Sequence, residues 1–309
     1  MNGFCMQQTN FPYVCTIVDD CSTDGEQEVI KKYLLKYFDL EDKNVARNEE
    51  TEDYTLSFAQ HKDNPNCYFA VYFLKYNHYS IKKTKFPYFS EYFDVVKYQA
   101  MCEGDDYWSN PHKLQLQVDF LDENPEVGMC YTRCRYYFQD KSKFAKNAWG
   151  GGSERFEDLI KNNTVPTASV LYRQGLYEQY QKDITPNDKG WMLGDYPFWL
   201  WISKVRQIRF LNEETCVYRI LEHSASQRDN KKRRADFITS VTDIQFFFAE
   251  RYNQRELVPI DKRERALLMD AFSNKDFEEV ILQYHQIYKP DWKTTIKFLL
   301  SLLMSKKAK

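Results

Sequence analysis

The segment Met101–Asn110, M-C-E-G-D-D-Y-W-S-N, constrains this chain more than any other stretch. Three acidic residues, Glu103, Asp105 and Asp106, lie within four positions, directly after the mixed apolar run Tyr98–Cys102. Carboxylates crowded at the end of a buried strand repel one another and resist the loss of water, so a cation stabilises them. Hard divalent cations such as Mg²⁺ and Mn²⁺ prefer oxygen ligands, often one or two carboxylates together with substrate phosphates. The segment therefore predicts a metal–diphosphate site, although a solvated acidic turn would also explain it.

Charge and cysteine usage exclude several classes of protein. The net charge of -2 over 309 residues gives no electrostatic case for nucleic-acid binding. The eight cysteines show neither a C-x-x-C pair nor a His-linked zinc spacing, which predicts reduced thiols in a cytoplasmic protein. No signal peptide is evident, and no apolar run approaches the ~20 residues that a membrane-spanning helix needs.

A second acidic turn follows another predicted strand. The run Tyr13–Val18, Y-V-C-T-I-V, is typical of a strand buried on both faces of a parallel sheet, and Asp19 and Asp20 follow it. Thr23 and Glu26 have the spacing of a capping box for the next helix. Ligands of open α/β sheets bind outside the carboxyl ends of the strands, where these acids would lie. Helix capping needs one such residue, so it leaves the second carboxylate unexplained.

Asp195 is a lone acid in the aromatic segment Trp191–Ser203, just before a helix predicted to begin at Pro197. A desolvated carboxylate at such a position is a candidate general base, and a helix N-cap is the alternative interpretation. Farther along, Arg219 and His223 either contact a diphosphate or belong to a polar surface loop.

The pattern becomes helical from about Arg228 to the end of the chain. This change predicts two domains, residues 1–227 and a C-terminal helical extension, residues 228–309. The last apolar stripe comprises Trp292, Ile296, Leu299 and Leu303, and it is followed by Lys306, Lys307 and Lys309. Such a helix can lie on an anionic membrane surface at the inner face of the membrane, or it can dock on its own protein. Docking on its own protein is the more common arrangement for such a helix.

Four motifs, in this order, resemble the family 2 glycosyltransferases of the GT-A fold. They are V-D-D-C-S-T-D-G at Val18–Gly25, C-E-G-D-D-Y-W at Cys102–Trp108, G-D-Y-P-F-W at Gly194–Trp199 and Y-R-I-L-E-H-S-A-S at Tyr218–Ser226. The resemblance runs from about residue 4 to about residue 230. The segment K-L-Q-L-Q-V-D-F-L-D-E-N-P at Lys113–Pro125 also resembles bacterial members that build capsule and surface polysaccharides. It implies a mostly parallel sheet flanked by helices, followed by the C-terminal helical extension.

The resemblance also implies roles for individual residues. The donor-binding residues would be Asp19, Asp20, Ser22, Glu103, Asp105, Arg219, His223 and Ser226. Asp20 matches the aspartate that contacts the nucleotide base. Asp105 and Asp106 lie at the metal position of the DXD motif, where one of them holds Mg²⁺ or Mn²⁺ on the donor diphosphate. Asp195 falls at the position of the general base.

The implied reaction is an inverting transfer of a sugar from a nucleotide-sugar, most simply a UDP-sugar, to a hydroxyl of a glycan or lipid-linked acceptor. Members of the family begin with a strand and a base-wrapping loop, whereas Met1–Gln8 resembles the end of the helix that follows them. The expectation is therefore an N-terminally truncated domain with unpaired backbone groups beside Tyr13–Val18. The alternatives are a non-catalytic remnant of such an enzyme and a nucleotidyltransferase, which usually carries a Gly-rich and basic phosphate loop.

Overall fold

The computed structural model describes residues 1–221 and 231–305. The helices are α1 (Asn2–Cys5), α2 (Glu26–Tyr37), α3 (Phe86–Ser90), α4 (Lys113–Glu123), α5 (Phe156–Leu159), α6 (Leu176–Ile184), α7 (Tyr196–Val205), α8 (Lys231–Arg251), α9 (Lys262–Ser273), α10 (Phe277–Gln286) and α11 (Trp292–Ser305). The strands are β1 (Tyr13–Asp19), β2 (Phe38–Asp39), β3 (Arg47–Glu50), β4 (Tyr54–His61), β5 (Cys67–Leu74), β6 (Tyr98–Ala100), β7 (Tyr107–Trp108), β8 (Val127–Phe138), β9 (Lys143–Phe144), β10 (Leu171–Arg173) and β11 (Gln207–Ile220).

The first sheet has the strand order β1-β5-β4-β2, with β3 also pairing with β4. β1 runs parallel to β5, whereas β4 is antiparallel to β5, β2 and β3. Alternate side chains of β5 enter two different apolar clusters. Phe69 and Phe73 pack with Ile30 and Leu34 of α2, while Tyr72 packs on the opposite face. This alternation explains why an almost unbroken apolar run forms β5: both faces of the strand are covered.

The second sheet has the order β6-β10-β8-β11-β7, with β9 on β8. β8 and β11 are parallel, and they are the two longest strands of the part of the chain described. β10 is antiparallel to β6 and β8, and β7 is antiparallel to β11. The irregular register between Phe210 and Cys216 marks bulges in β11. This sheet carries the acidic segment on the connection between β6 and β7.

The prediction of a mostly parallel GT-A sheet is wrong, because both sheets mix parallel and antiparallel pairs. Within the described residues, only the β1–β5 and β8–β11 pairs are parallel. Short apolar runs reveal strands but not the direction of their partners. β1 packs against apolar clusters on both faces, through Cys15 and Ile17 on one face and Val14 and Val18 on the other. Its residues Tyr13–Val18 are nevertheless partly exposed, because β5 is its one neighbour among the described strands.

The largest apolar cluster lies between the second sheet and the helices α7 and α8. Trp199 and Ile202 of α7 are fully buried there together with Ile244 and Phe248 of α8. α8 therefore shares a core with the preceding part of the chain. The predicted domain boundary at residue 227 lies outside the described residues and stays a prediction. In the ranges described, no helix combines the length and apolar character needed to cross a bilayer.

Candidate catalytic site

The acidic segment is held in place by the pairing of β7 with β11. Tyr107 and Trp108 pair with Val217 and Cys216, which brings the preceding residue, Asp106, beside the end of β11. There the backbone N–H of Arg219 donates a hydrogen bond to Oδ1 of Asp106 at 2.9 Å. Two motifs more than a hundred residues apart in the sequence therefore meet at one hydrogen bond.

Trp108, two residues after Asp106, holds the acidic segment in place through three contacts. Its Nε1–H donates to the carbonyl oxygen of Ala168 at 2.9 Å, and Phe4 packs edge-on against the ring at a centroid distance of 4.8 Å. The ammonium group of Lys113, the first residue of α4, lies 4.4 Å from the ring centroid. Lys113 is completely buried and donates to Oε1 of Gln117 at 2.6 Å. Trp108 therefore connects the acidic segment to α1, α4 and the turn after Pro166.

Asp195 is the N-cap residue of α7, so the capping interpretation describes its local structure. Oδ1 accepts a hydrogen bond from the backbone N–H of Tyr196 at 2.6 Å, and Oδ2 accepts one from the hydroxyl of Thr167 at 2.5 Å. Thr167 begins the 3-10 turn Thr167–Ser169, which also contains the Ala168 carbonyl bonded to Trp108. One short turn therefore links Asp195 to the acidic segment.

The four acids interact electrostatically. Desolvation by the surrounding protein, together with the charges of Asp106, Asp195 and Asp105, raises the pKa of Glu103 to about 7, even though part of this residue is exposed. Burial, followed by the charge of Asp105, raises the pKa of Asp106 to about 6 against the lowering effect of Arg219. Oδ2 of Asp106 is buried and has no hydrogen-bond partner among the described residues. The site is therefore a concentration of negative charge that the described protein neutralises incompletely.

The carboxylates of the acidic segment fit a hard divalent cation that is bound together with a substrate diphosphate. Across residues 1–221 and 231–305, no group of three or more His, Cys, Asp or Glu side chains is arranged to hold a metal ion by itself. A Mg²⁺ or Mn²⁺ ion bound with a substrate diphosphate needs only one or two protein carboxylates. The unpartnered oxygen of Asp106, with Asp105 next to it, offers oxygen ligands of that kind.

The two carboxylates of the acidic turn after β1, Asp19 and Asp20, accept hydrogen bonds from neighbouring residues. Oδ1 of Asp19 accepts hydrogen bonds from the backbone N–H of Ser22 at 3.2 Å and from Nε2 of Gln27 at 2.6 Å, while its buried Oδ2 has no partner among the described residues. Both carboxylate oxygens of Asp20 are occupied, by the backbone N–H of His78 and by two other donors, Tyr79 N–H and Lys85 Nζ. Burial raises the pKa of Asp20, but these hydrogen bonds outweigh it and lower the pKa overall. Contact of Asp20 with a nucleotide base stays a prediction.

Two of the predicted donor-binding residues, His223 and Ser226, lie outside the described residues. Conversely, the sequence pattern does not single out Thr167, because the segment T-V-P-T-A-S-V-L-Y at Thr164–Tyr172 predicts one strand with an early proline. The strand β10 begins only at Leu171, and the residues after Pro166 form the turn that meets Asp195. The early proline was the available signal, since proline is disfavoured inside a sheet. His78 was also missed: both of its ring nitrogens are buried without a partner among the described residues, beside Tyr76 and Tyr88.

Comparison with known proteins gives relatives without an assigned function. The chain is 27% identical over 237 residues to an uncharacterized protein of Mycobacterium tuberculosis and equally to one of Mycobacterium bovis. The match covers 72% of this chain and 54% of each relative, so the chain spans about half the length of the curated relatives it matches. No family model matches the chain.

Proposed function

We propose that this protein is a glycosyltransferase that moves a sugar from a nucleotide-sugar donor, most simply a UDP-sugar, to a hydroxyl of a glycan or lipid-linked acceptor. The observations that carry the proposal are two connections between the glycosyltransferase-like motifs. The Arg219 N–H bonds Asp106, and the turn Thr167–Ser169 bonds both Trp108 and Asp195. The mostly parallel sheet that the resemblance implies is not what the described residues form, because both sheets are mixed. The proposal therefore depends on the motifs and on the site that they form.

In the proposed reaction, Asp195 accepts the proton of the acceptor hydroxyl as that oxygen attacks the anomeric carbon from the face opposite the diphosphate. The hydrogen bonds from Thr167 and from the Tyr196 N–H fix the carboxylate for this task. A positioned general base contributes about two to four orders of magnitude in rate. The guanidinium of Arg219, whose backbone already holds Asp106, pairs with the departing diphosphate.

Asp105 and Asp106 are the residues that would hold Mg²⁺ or Mn²⁺ in this proposal. When bound, such an ion acts as a Lewis acid that stabilises negative charge on the diphosphate. The chain's own contribution is to keep an unpaired carboxylate oxygen of Asp106 desolvated at the acidic segment. A desolvated and unpaired carboxylate lowers the stability of the protein when no cation is bound. A bound cation would remove this penalty, so the same desolvation favours cation binding.

Calorimetry with nucleoside diphosphates tests donor binding. We expect UDP or another nucleoside diphosphate to bind in the presence of Mn²⁺ and to bind at least about tenfold more weakly with EDTA. The double variant Asp105→Ala/Asp106→Ala should lose this dependence on Mn²⁺. Glu52→Gln, which changes an exposed acid in the connection between β3 and β4, should retain it. Equal affinity in the double variant would remove the acidic segment from the metal role. No binding of any diphosphate to the unmodified protein would favour the non-catalytic alternative.

The variant Asp195→Asn tests the base. The amide keeps an oxygen that can accept a hydrogen bond but cannot take a proton, so transfer should fall by at least about a hundredfold while donor affinity is kept. A product assay with a panel of nucleotide-sugars supplies the rate, and calorimetry supplies the affinity. Turnover retained in this variant would exclude Asp195 as the base.

A further inference from the structure

The helix α11 (Trp292–Ser305) turns its apolar side away from the protein. The side chains packed inward include Thr294 and Ser301, which are 3% and 0% exposed. The strongly exposed side chains are large and apolar: Trp292 69%, Ile296 48%, Leu299 53%, Leu300 43%, Leu303 64% and Met304 50%. A helix that docks only on its own protein has the opposite arrangement. The amphipathic pattern is therefore inverted, and the docking alternative does not explain it.

These exposed residues form one continuous surface. At 3.6 residues per turn, the five residues Trp292, Ile296, Leu299, Leu300 and Leu303 fall within an arc of about 100°. The inward face is fixed, because Phe298 stacks on Tyr284 of α10 at a centroid distance of 4.1 Å. The orientation of α11 thus follows from its packing on α10, and the apolar arc points outward as a consequence.

The charges of α11 are all positive. The helix contains Lys293 and Lys297, and it contains no acidic residue. Asp291, which precedes it, accepts a hydrogen bond from the Thr294 N–H at 2.8 Å and pairs with Arg265 at 2.7 Å, so its charge is compensated. On the helical wheel Lys293 and Lys297 lie about 100° and 140° from Trp292, beyond one border of the apolar arc. The ammonium group of Lys297 lies 4.0 Å from the ring centroid of Phe272 of α9. The sequence continues with three further lysines that lie outside the described residues.

We propose that α11 docks on an anionic phospholipid bilayer, with its axis in the plane of the membrane. A helix of 14 residues is about 21 Å long, too short to span the ~30 Å hydrocarbon core. An exposed apolar arc bordered by lysines buries its large side chains at the headgroup boundary and places its positive charges against acidic headgroups. This inference is independent of the proposed transferase reaction, because it rests on exposure and charge at the other end of the chain.

Vesicle sedimentation with the full chain tests the proposal. The unmodified protein should bind vesicles containing phosphatidylglycerol and bind pure phosphatidylcholine vesicles at least about tenfold more weakly. The double variant Leu299→Ser/Leu303→Ser should lose at least about tenfold in affinity for the anionic vesicles. The matched control Leu35→Ser/Val95→Ser changes two residues that are 68% and 82% exposed elsewhere, and it should bind like the unmodified protein.

Three outcomes would overturn the inference. The first is the absence of binding to anionic vesicles, and the second is equal binding to neutral and anionic vesicles. The third is a dimer, measured by light scattering without lipid, that Leu299→Ser/Leu303→Ser dissociates, because the apolar arc would then serve contact between two copies of the chain. Circular dichroism of both double variants verifies that the fold is kept, which is expected because all four side chains are exposed.

Discussion

Lys113 places an ammonium group in the core beside Trp108 of the acidic segment. Removing that charge should stabilise the protein, by an amount that depends on pH. The side chain is completely buried, and burial lowers the pKa of Lys113 from 10.5 to about 8. The unfolded chain therefore binds this proton more tightly than the folded protein does. The resulting penalty is fully present below pH 8 and disappears as the pH rises through 10.5. Lys113→Met keeps most of the side-chain volume and removes the penalty.

The size of the effect follows from the two pKa values. The penalty amounts to about 3 kcal/mol at pH 7, about 2 kcal/mol at pH 9 and less than about 1 kcal/mol at pH 10. The variant also leaves Oε1 of Gln117 without its donor, which costs about 1–2 kcal/mol at every pH. The net expectation is a gain of about 1–2 kcal/mol at pH 7 that vanishes or reverses by pH 10.

Urea denaturation of both proteins at pH 7, 9 and 10 measures the difference in the free energy of unfolding. Burial also raises the pKa of thiols such as Cys130 and Cys102, so both proteins lose stability at high pH. The difference between the proteins removes the part of this loss that does not depend on the nearby charge of Lys113, which lowers both thiol pKa values. The control Lys32→Met, at an exposed position of α2, should show no pH-dependent difference. A constant difference between pH 7 and pH 10 for Lys113→Met would show that Lys113 carries no buried charge.

Two further predictions concern the supports of the site. A Cβ atom at Gly3 would lie 2.5 Å from the Trp108 carbonyl oxygen. Gly3→Ala should therefore lower the free energy of unfolding, measured in urea, by about 1–3 kcal/mol. Gly104→Ala should not lower it, because a Cβ at Gly104 would have no neighbour within 4 Å among the described residues beyond those adjacent in the chain. Equal stability of the two variants would contradict the contact of α1 with Trp108. Asp20→Ala should increase amide hydrogen exchange at His78 at least about tenfold, since it removes the acceptor of that N–H; unchanged protection would contradict this.

The sequence predicted the helices better than the sheets. The helical spacing of apolar residues over Phe277–Tyr288 predicts a helix, and α10 occupies Phe277–Gln286. This periodicity can be read within the segment itself. Strand direction depends on partners far away in the chain. β4 (Tyr54–His61) lies in the polar stretch 41–66, for which the sequence pattern predicts no element. Its antiparallel pairing with β5 makes the first sheet mixed.

One prediction for the second acidic turn, the capping box, is wrong. The capping box of Thr23 and Glu26 does not form, since Gly25 is the N-cap residue at a φ of 93° and Oδ1 of Asp24 accepts the hydrogen bond from the Glu26 N–H. Several carboxylates compete for few N–H donors in such a turn, so the spacing alone could not identify the acceptor.

The sequence motifs identify the acids and Asp195 as candidate site residues. The residue that orients Asp195 can be identified only from the tertiary structure. Thr167 meets Asp195 because Trp108 ties its turn to β7 and because β7 pairs with β11. None of these contacts is local in sequence. A search restricted to acids, bases and spacing therefore finds the charged groups of a site and misses the neutral side chains that position them.

Thr167 should accordingly act as a positioning residue for the proposed transfer. Its hydroxyl donates to Oδ2 of Asp195, and hydrogen bonds to charged groups are worth about 1.5–3 kcal/mol. Thr167→Val keeps the shape but loses the donor, so kcat should fall about tenfold to a hundredfold with KM for the donor unchanged. Thr167→Ser restores the hydroxyl and should recover most of the rate. If Ser and Val variants lost activity equally, packing of the turn rather than its hydrogen bond would support the site; if Val kept full kcat, the carboxylate would need no such restraint to accept the proton.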